Sequence, residues 1–486
     1  MSVALEQPAL GQTAAESVVA KRFGRAALAA AACAFIAVGA PVVWRGAPLA
    51  DDFHNCLVPR ERGLESFLGT SWERLGMMRL ARFVEIAVTT GTCETLPFGI
   101  AILVPLALTL SVALLLRGLL RDMRTPAPWA DLGGALWLLQ PLGTEAGLWP
   151  ASLHVPLGLA LVLLALRLYH RGRHTTAALA SFGAAVSIEQ AVLALPLAVW
   201  LVTPPAHRAR ALKVSAAIAV SAMAAFALWP GSDVRLRVGP VERLAALTSD
   251  PVFYLAFPAV GLGAHSIPLA VAWGWPWSAV AVEVGAIAGG VAAKHLPRGD
   301  GICRRDAIKW TAAVVALVAI ANVPVLLNVP RQGSPRLFTP TWLVLVAAVA
   351  VLAPRVRWRW PLLIGAAGGA FAVGAVLSMV LSVSVRLASA DFNERSTRLL
   401  AARVPDGAAV AVCGVRRTVA VPAPRGAFSI HEFVYDWAAA DALVYYTGRR
   451  ATFHLAGELW EERSCPPTAK VDVIIAFDDL LREARR

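Results

Sequence analysis

A succession of long apolar runs separated by short polar loops constrains this chain more than any other feature. The runs are Ala26–Trp44, Leu96–Leu116, Trp129–Leu142, Leu153–Leu168, Thr175–Ile188, Ala191–Val202, Val214–Trp229, Trp277–Ala293, Trp310–Leu327, Thr339–Leu352 and Pro361–Val385. A bilayer helix needs roughly 20 apolar residues, and lipid offers no partner to an open backbone amide, so these runs predict helices. Their spacing predicts about eleven spans, the shorter ones tilted little or enclosed by the others. Composition agrees: of 486 residues, 57% are hydrophobic and 16% charged, against roughly 25% charged in ordinary globular domains. A net charge of +13 would suit a nucleic-acid binder in another setting. Here most of the excess lies in short loops between apolar runs, where it sets orientation, and nucleic acid is set aside as a partner.

Alternate loops carry the basic residues. They are Lys21/Arg22/Arg25, Arg117/Arg121/Arg124, Arg167/Arg171/Arg173, Arg208/Arg210/Lys213, Lys294/Arg298/Arg304/Arg305 and Arg355/Arg357/Arg359. The positive-inside rule places this series in the cytoplasm. The intervening loops Gly143–Ser152 and Glu189–Gln190 have no Lys or Arg. With an odd number of spans, residues 1–25 form a cytoplasmic tail and residues 386–486 face outward. The first run is longer than the apolar part of a cleaved signal peptide and many runs follow it, so a retained helix is expected. The segment Pro251–Gly274 is apolar but broken by Pro258, Gly261, Gly263 and Pro268. It reads as re-entrant or interfacial, because a full span there would invert the basic series.

The longest outer loop, about fifty residues from Ala47 to Leu96, opens with the acidic pair Asp51-Asp52. It continues through His54, Cys56 and a Trp/Arg/Glu-rich segment, and closes at Cys93 and Glu94. Carboxylates this close to a membrane boundary are costly unless water, a cation or a polar ligand meets them. Cys56 and Cys93 share this loop, and Cys413 and Cys465 share the C-terminal segment. Two candidate pairs on the oxidising side fit the rule for disulfides, although spacing alone cannot prove either bond. After Arg386 polar residues increase. Ala408–Val412, Ala451–Leu455 and Val471–Ala476 read as strands and Ile430–Tyr446 as a helix, predicting an α/β module of roughly a hundred residues.

The order of these features resembles the GT-C superfamily of polytopic glycosyltransferases, such as protein O-mannosyltransferases and lipid A aminoarabinose transferases. The first span ends in an acidic pair, Ala50-Asp51-Asp52-Phe53. An outer turn with tryptophan follows, Leu148-Trp149-Pro150, then His154 and a Leu-rich run. Next come an acidic residue before a Pro-containing run, Ser187-Ile188-Glu189-Gln190 with Pro196, and a late loop, Arg336-Leu337-Phe338-Thr339-Pro340. Ser187 stands where a lysine often precedes the glutamate, which leaves the donor sugar unassigned. The resemblance implies a helical polytopic membrane fold that moves a sugar from a polyprenyl-phosphate donor. The acceptor would be an extracytoplasmic glycan, lipid or protein.

That chemistry needs a carboxylate to take the proton of an acceptor hydroxyl, a role for Asp51 or Asp52, with the resemblance favouring Asp51. Arginines such as Arg331 and Arg336 would meet the leaving phosphate. A divalent cation, Mg or Mn, held by the acidic pair would share that work. His54, His154 and Glu189 are further substrate-binding candidates, and Glu283 stands inside an apolar run as a functional or buried hydrogen-bonding residue. Each has a plainer reading: the acidic pair as a solvated flank, the histidines as structural, the arginines as anchors to lipid phosphates. Arg79 and Arg82 are expected to be interfacial. The competing functions are a polytopic transporter or lipid flippase, and a non-catalytic membrane scaffold. Against the first, no internal repeat is visible.

Overall fold

The computed structural model describes residues 18–49, 51–63, 84, 87–89, 93, 97–139, 147–228, 276–294, 296, 304–328, 339–355, 360–416, 419–420, 427–428, 436–457, 465 and 470–484. The described residues within Met1–Gly39 and Val104–Met379 form one compact unit. Those within Ala40–Thr70, Val84–Leu103 and Val380–Arg486 form a second. In chain order the helices are α1 (Val18–Arg45), α2 (Asp51–Arg62), α3 (Gly99–Asp122), α4 (Ala127–Leu138), α5 (His154–His170) and α6 (His174–Ala185). They continue as α7 (Glu189–Val202), α8 (Pro205–Leu228), α9 (Pro276–Ala293), α10 (Arg304–Asn328), α11 (Thr339–Leu352) and α12 (Pro361–Arg403). The described part of every apolar run lies largely on one of these helices. Three of them, α1, α3 and α12, are long and apolar enough to cross a membrane.

Several helices extend beyond the predicted apolar runs: α3 runs on to Asp122, α8 starts at Pro205 and α10 at Arg304, each taking in basic residues read as loop. Helix α1 takes in Lys21, Arg22 and Arg25, which are good helix formers whose long stems can reach out from an apolar segment. Helix α12 runs on to Arg403, well beyond the end of its apolar run. The segment Pro251–Gly274 and residues Arg79 and Arg82 lie outside the described residues. Glu283 is exposed on α9, so it is not a buried hydrogen-bonding residue.

The first unit is held by close backbone approach and by paired charges. In α9 and α12, glycines four apart meet: a Cβ on Gly369 would collide with the Gly285 carbonyl oxygen, and one on Gly289 with the Gly365 carbonyl oxygen. Spacing of this kind lets two apolar helices touch backbone to backbone, which is how helices gain contact where lipid removes the hydrophobic drive. At one end of α3, Asp122 accepts from Arg167 at 2.9 Å and from Arg171 at 2.8 Å. Asp131, fully buried on α4, accepts from Arg117 and lies 3.5 Å from Arg121. These arginines therefore have structural partners as well as the topological role assigned to them. Two indoles are also satisfied: buried Trp137 donates to the Thr109 carbonyl at 3.1 Å and half-buried Trp342 to that of Leu136 at 3.3 Å.

The second unit contains the C-terminal strands β1 (Ala408–Val415), β2 (Val419–Ala420) and β3 (Ala427–Phe428), helix α13 (Asp436–Thr447), strands β4 (Ala451–Gly457) and β5 (Val473–Ala476), and helix α14 (Phe477–Ala484). The strands expected from the sequence form a parallel sheet, order β4-β1-β5, with Val410 opposite both Phe453 and Val473. β1 is central and nearly continuously apolar, as a parallel strand covered on both faces must be. Val410, Val412, Leu455 and Leu443 pack with Phe477, Leu480 and Leu481 in one core. Helix α14 presents Phe477, Leu480, Leu481 and Ala484 inward at helical spacing and its charges outward. Cys413 is bonded to Cys465, their Cα atoms 5.8 Å apart.

Gly369→Val tests the contact between α9 and α12. Overpacking a filled contact costs about 1–3 kcal/mol, so the purified protein is expected to unfold at lower temperature in detergent. Gly368→Val, at a position with nothing within 4 Å of its missing Cβ, is expected to leave the melting temperature unchanged.

Candidate functional site

The acidic pair follows α1 after a sharp turn. Gly46, at φ +56°, ends that helix in the left-handed conformation, its N–H donating to the Val42 carbonyl at 3.0 Å. A Cβ on Gly46 would stand 2.9 Å from the Gly99 nitrogen, so a larger residue is excluded twice. Helix α2 then opens with Asp51. The Asp52 amide donates to the Leu49 carbonyl at 2.9 Å, and the Leu49 amide donates to Asp52 Oδ2 at 3.1 Å. This reciprocal pair fixes the entry to the helix, and a carboxylate there meets the positive end of the helix dipole. Asp52 is fully buried. The side chains of Asp51 and Glu189 lie outside the described residues, as do Arg331 and Arg336.

Two contacts tie α2 to the C-terminal part of the same unit, and a disulfide ties it to Cys93. Phe53, fully buried, meets the Tyr445 and Tyr446 rings edge-on at centroid distances of 5.4 and 5.6 Å. His54 Nδ1 lies 3.0 Å from Asp441 Oδ2 on α13. Cys56 is bonded to Cys93, with Cα atoms 5.7 Å apart. Just before the turn, the Arg45 guanidinium donates to Glu394 Oε2 at 2.6 Å and lies 2.9 Å from Asp391 Oδ1, both on α12. Glu394 also receives Arg398 at 3.2 Å.

The result is a polar cluster of Arg45, Asp52, His54, Asp391, Glu394, Asp441 and Tyr445. Burial raises the Tyr445 phenol above its usual range, and the negative charges of Asp52 and Glu394 raise it further. The phenol therefore stays protonated and offers a hydrogen-bond donor beside two carboxylates. A carboxylate, a phenol and a carboxylate-oriented imidazole are groups that can accept, give or relay a proton.

Of the residues expected from the sequence, Asp52 and His54 come together here. His154 opens α5 in the first unit and is half-buried. The sequence reading missed Asp391, Glu394, Asp441 and Tyr445. Their signal was helical spacing: Asp391, Glu394 and Arg398 share one face of α12, and Asp441 and Tyr445 one face of α13. Among the described residues no group of three or more His, Cys, Asp or Glu side chains is placed to hold a metal ion.

The chain matches no protein-family model, no curated protein and no solved structure.

Within the first unit, α3, α5, α7, α10 and α11 line a half-open cleft whose lining residues, Leu163, Leu195, Leu317 and Leu343 among them, are all apolar. An apolar cleft of this kind suits an apolar ligand.

Because the folded state holds the Tyr445 proton more tightly than the unfolded chain, its contribution to stability is complete below the free-phenol value of roughly 10 and is lost as pH rises through the folded value. Asp52→Asn removes one of the charges responsible. Ultraviolet difference titration is expected to show a phenol that titrates late in the parent and earlier in the variant.

Proposed function

We propose that this protein is an integral-membrane glycosyltransferase that moves a sugar from a polyprenyl-phosphate donor to an extracytoplasmic acceptor. The observation that carries the reading is the buried Asp52 carboxylate, held at the start of a helix a few residues after a membrane-length apolar helix. The order of sequence features shared with GT-C enzymes supports it, as does an apolar cleft suited to a segment of a lipid chain. On this reading the chain crosses the membrane about eleven times. The basic loops face the cytoplasm, and the first long loop and the C-terminal α/β module face outward. The Cys56–Cys93 and Cys413–Cys465 bonds both fall in those outward segments, where oxidising conditions favour them.

In the proposed reaction the acceptor hydroxyl loses its proton to a carboxylate as its oxygen attacks the sugar carbon. The bond from that carbon to the phosphate oxygen breaks, and the phosphate leaves with its negative charge on the lipid. Direct attack inverts the sugar carbon. Asp52 Oδ2 is engaged by the Leu49 amide, so we assign proton abstraction to Asp51 and the fixing of the helix start to Asp52. Arg331 and Arg336 are assigned to the leaving phosphate.

A flippase would share the apolar cleft but would not need the acidic pair for sugar transfer. The test is Asp51→Asn and Asp52→Asn in a strain whose cell-envelope glycans are read by mass spectrometry. A general base is worth about 10²–10⁴ in rate, so Asp51→Asn is expected to abolish the product at normal expression. Asp52→Asn is expected to lower both product and protein stability. A full glycan profile from well-expressed Asp51→Asn protein would overturn the transferase reading.

A further inference from the structure

One side of the first unit carries positive charge with almost nothing to balance it. From Ala146 to Ser232 the only acidic residue is Glu189, while Arg173 and, in the first turns of α6 and α8, Arg208, Arg210 and Lys213 with the imidazoles of His174 and His207 gather near two turns. The turn between α5 and α6 and the turn between α7 and α8 lie against each other. Gly172, at φ +74°, has the His207 ring 3.0 Å from where its Cβ would be, and the His174 and His207 rings are 5.9 Å apart. Arg171 is already taken up by Asp122. Among the described residues no carboxylate pairs with Arg173, His174, His207 or Arg210.

Two further features add to this field. Helices α6 and α8 both begin here, and neither has an acidic residue in its first turn. Their amide ends add two partial positive charges to the cations, an arrangement that binds phosphate. The Nδ1 atom of His174 is buried and has no hydrogen-bond partner.

The surroundings identify the kind of anion. Leu179 and Phe182 of α6 and Trp200 of α7 are exposed apolar side chains close to the turns in sequence. The Arg208 guanidinium stands over the Trp200 ring at 5.9 Å, and arginine with tryptophan is the pairing found at the lipid–water boundary. Leu166, Leu201 and Val202 line the apolar cleft, and His170 Nδ1 lies 2.6 Å from the Val202 carbonyl oxygen. Cationic groups between helices at the cytoplasmic boundary suit the phosphate of an anionic lipid.

We propose that the α5–α6 and α7–α8 turns form a binding site for the phosphate of an anionic phospholipid, with His174, His207 and Arg210 at its centre. The site is independent of the transferase reading. It engages a lipid whose chains lie along α6 and α7, on the leaflet that the basic loops face.

The test uses the full chain, delipidated in neutral detergent and titrated by native mass spectrometry and thermal unfolding with phosphatidylglycerol, phosphatidylcholine or inorganic phosphate. Phosphatidylglycerol is expected to bind and raise the melting temperature, with phosphatidylcholine much weaker. His174→Ala/Arg210→Gln is expected to bind phosphatidylglycerol roughly tenfold more weakly, the effect of losing one charge-assisted hydrogen bond. Lys309→Gln, which removes a charge elsewhere, is expected to bind like the parent, and circular dichroism checks that each variant is folded. Equal binding of the two lipids, or an unchanged affinity in the folded double variant, overturns the proposal. Equal protection by inorganic phosphate alone would assign the site to a free phosphate and also overturn the lipid assignment. If the double variant does not fold, the comparison of the three ligands on the parent decides.

Discussion

In lipid, apolar side chains gain little by leaving one apolar environment for another, and on the proposed membrane reading the first unit depends on what remains. What remains is close approach and charge. Where α9 and α12 meet, the backbones themselves are the packing surface, and each glycine leaves room for a carbonyl oxygen of its neighbour. Dispersion across such a contact is strong because the atoms are near, and it tolerates no added methyl group. At the helix ends the opposite device operates. Asp122 and Asp131 each gather two arginines from nearby helices or turns of helix. A buried carboxylate such as Asp131 is tolerated because it is paired, and removing its partners would leave an uncompensated charge. The same logic makes the acid-free turns before α6 and α8 stand out: there the cations outnumber any answering charge.

The second unit follows different physics. Its sheet and helices close around Val410, Val412, Leu455 and Phe477 in the way any aqueous domain buries a core. Helix α2 is drawn into this arrangement. Twelve residues of polar helix are marginal alone, so α2 owes its position to Phe53 between two tyrosine rings, to His54 against Asp441 and to the Cys56–Cys93 bond. The carboxylate of Asp52 is therefore placed by residues almost four hundred positions away in the chain. The C-terminal module is, on this evidence, part of what builds the polar cluster rather than an independent appendage.

That division explains what could be read from the sequence. Apolar runs and basic loops are local signals with a direct physical meaning, so the helices and the candidate orientation were legible from them. The strands at Ala408, Ala451 and Val473 were legible for the same reason, since each is a short apolar run bounded by turn residues. Asp52 and His54 drew attention as polar residues beside an apolar helix. Asp391, Glu394, Asp441 and Tyr445 did not, because exposed-looking charges on helices are common and only the fold shows which face is covered. The glycine spacing of α9 and α12 was visible as letters, but which helices it would join was not. Arg331 and Arg336 rest on sequence order alone.

The charge of the polar cluster limits its part in the proposed transfer. Among the described residues the cluster holds the carboxylates of Asp52, Asp391, Glu394 and Asp441, with the guanidiniums of Arg45 and Arg398 and an imidazole at His54 beside them. Arg45 is spent on Asp391 and Glu394, and Arg398 on Glu394. A group with this balance repels a phosphate, whose approach to carboxylates in a partly desolvated setting is costly. It suits hydroxyl-rich ligands, which can donate to the carboxylates and accept from the protonated Tyr445 phenol. On the proposed reading the cluster therefore belongs to the acceptor half of the reaction. The leaving phosphate must be met by cations drawn from another part of the chain, which is the role that Arg331 and Arg336 are proposed to fill. An enzyme that joins a sugar to a hydroxyl while releasing a lipid phosphate needs this separation, because the group that attracts the acceptor's proton would otherwise hold off the donor.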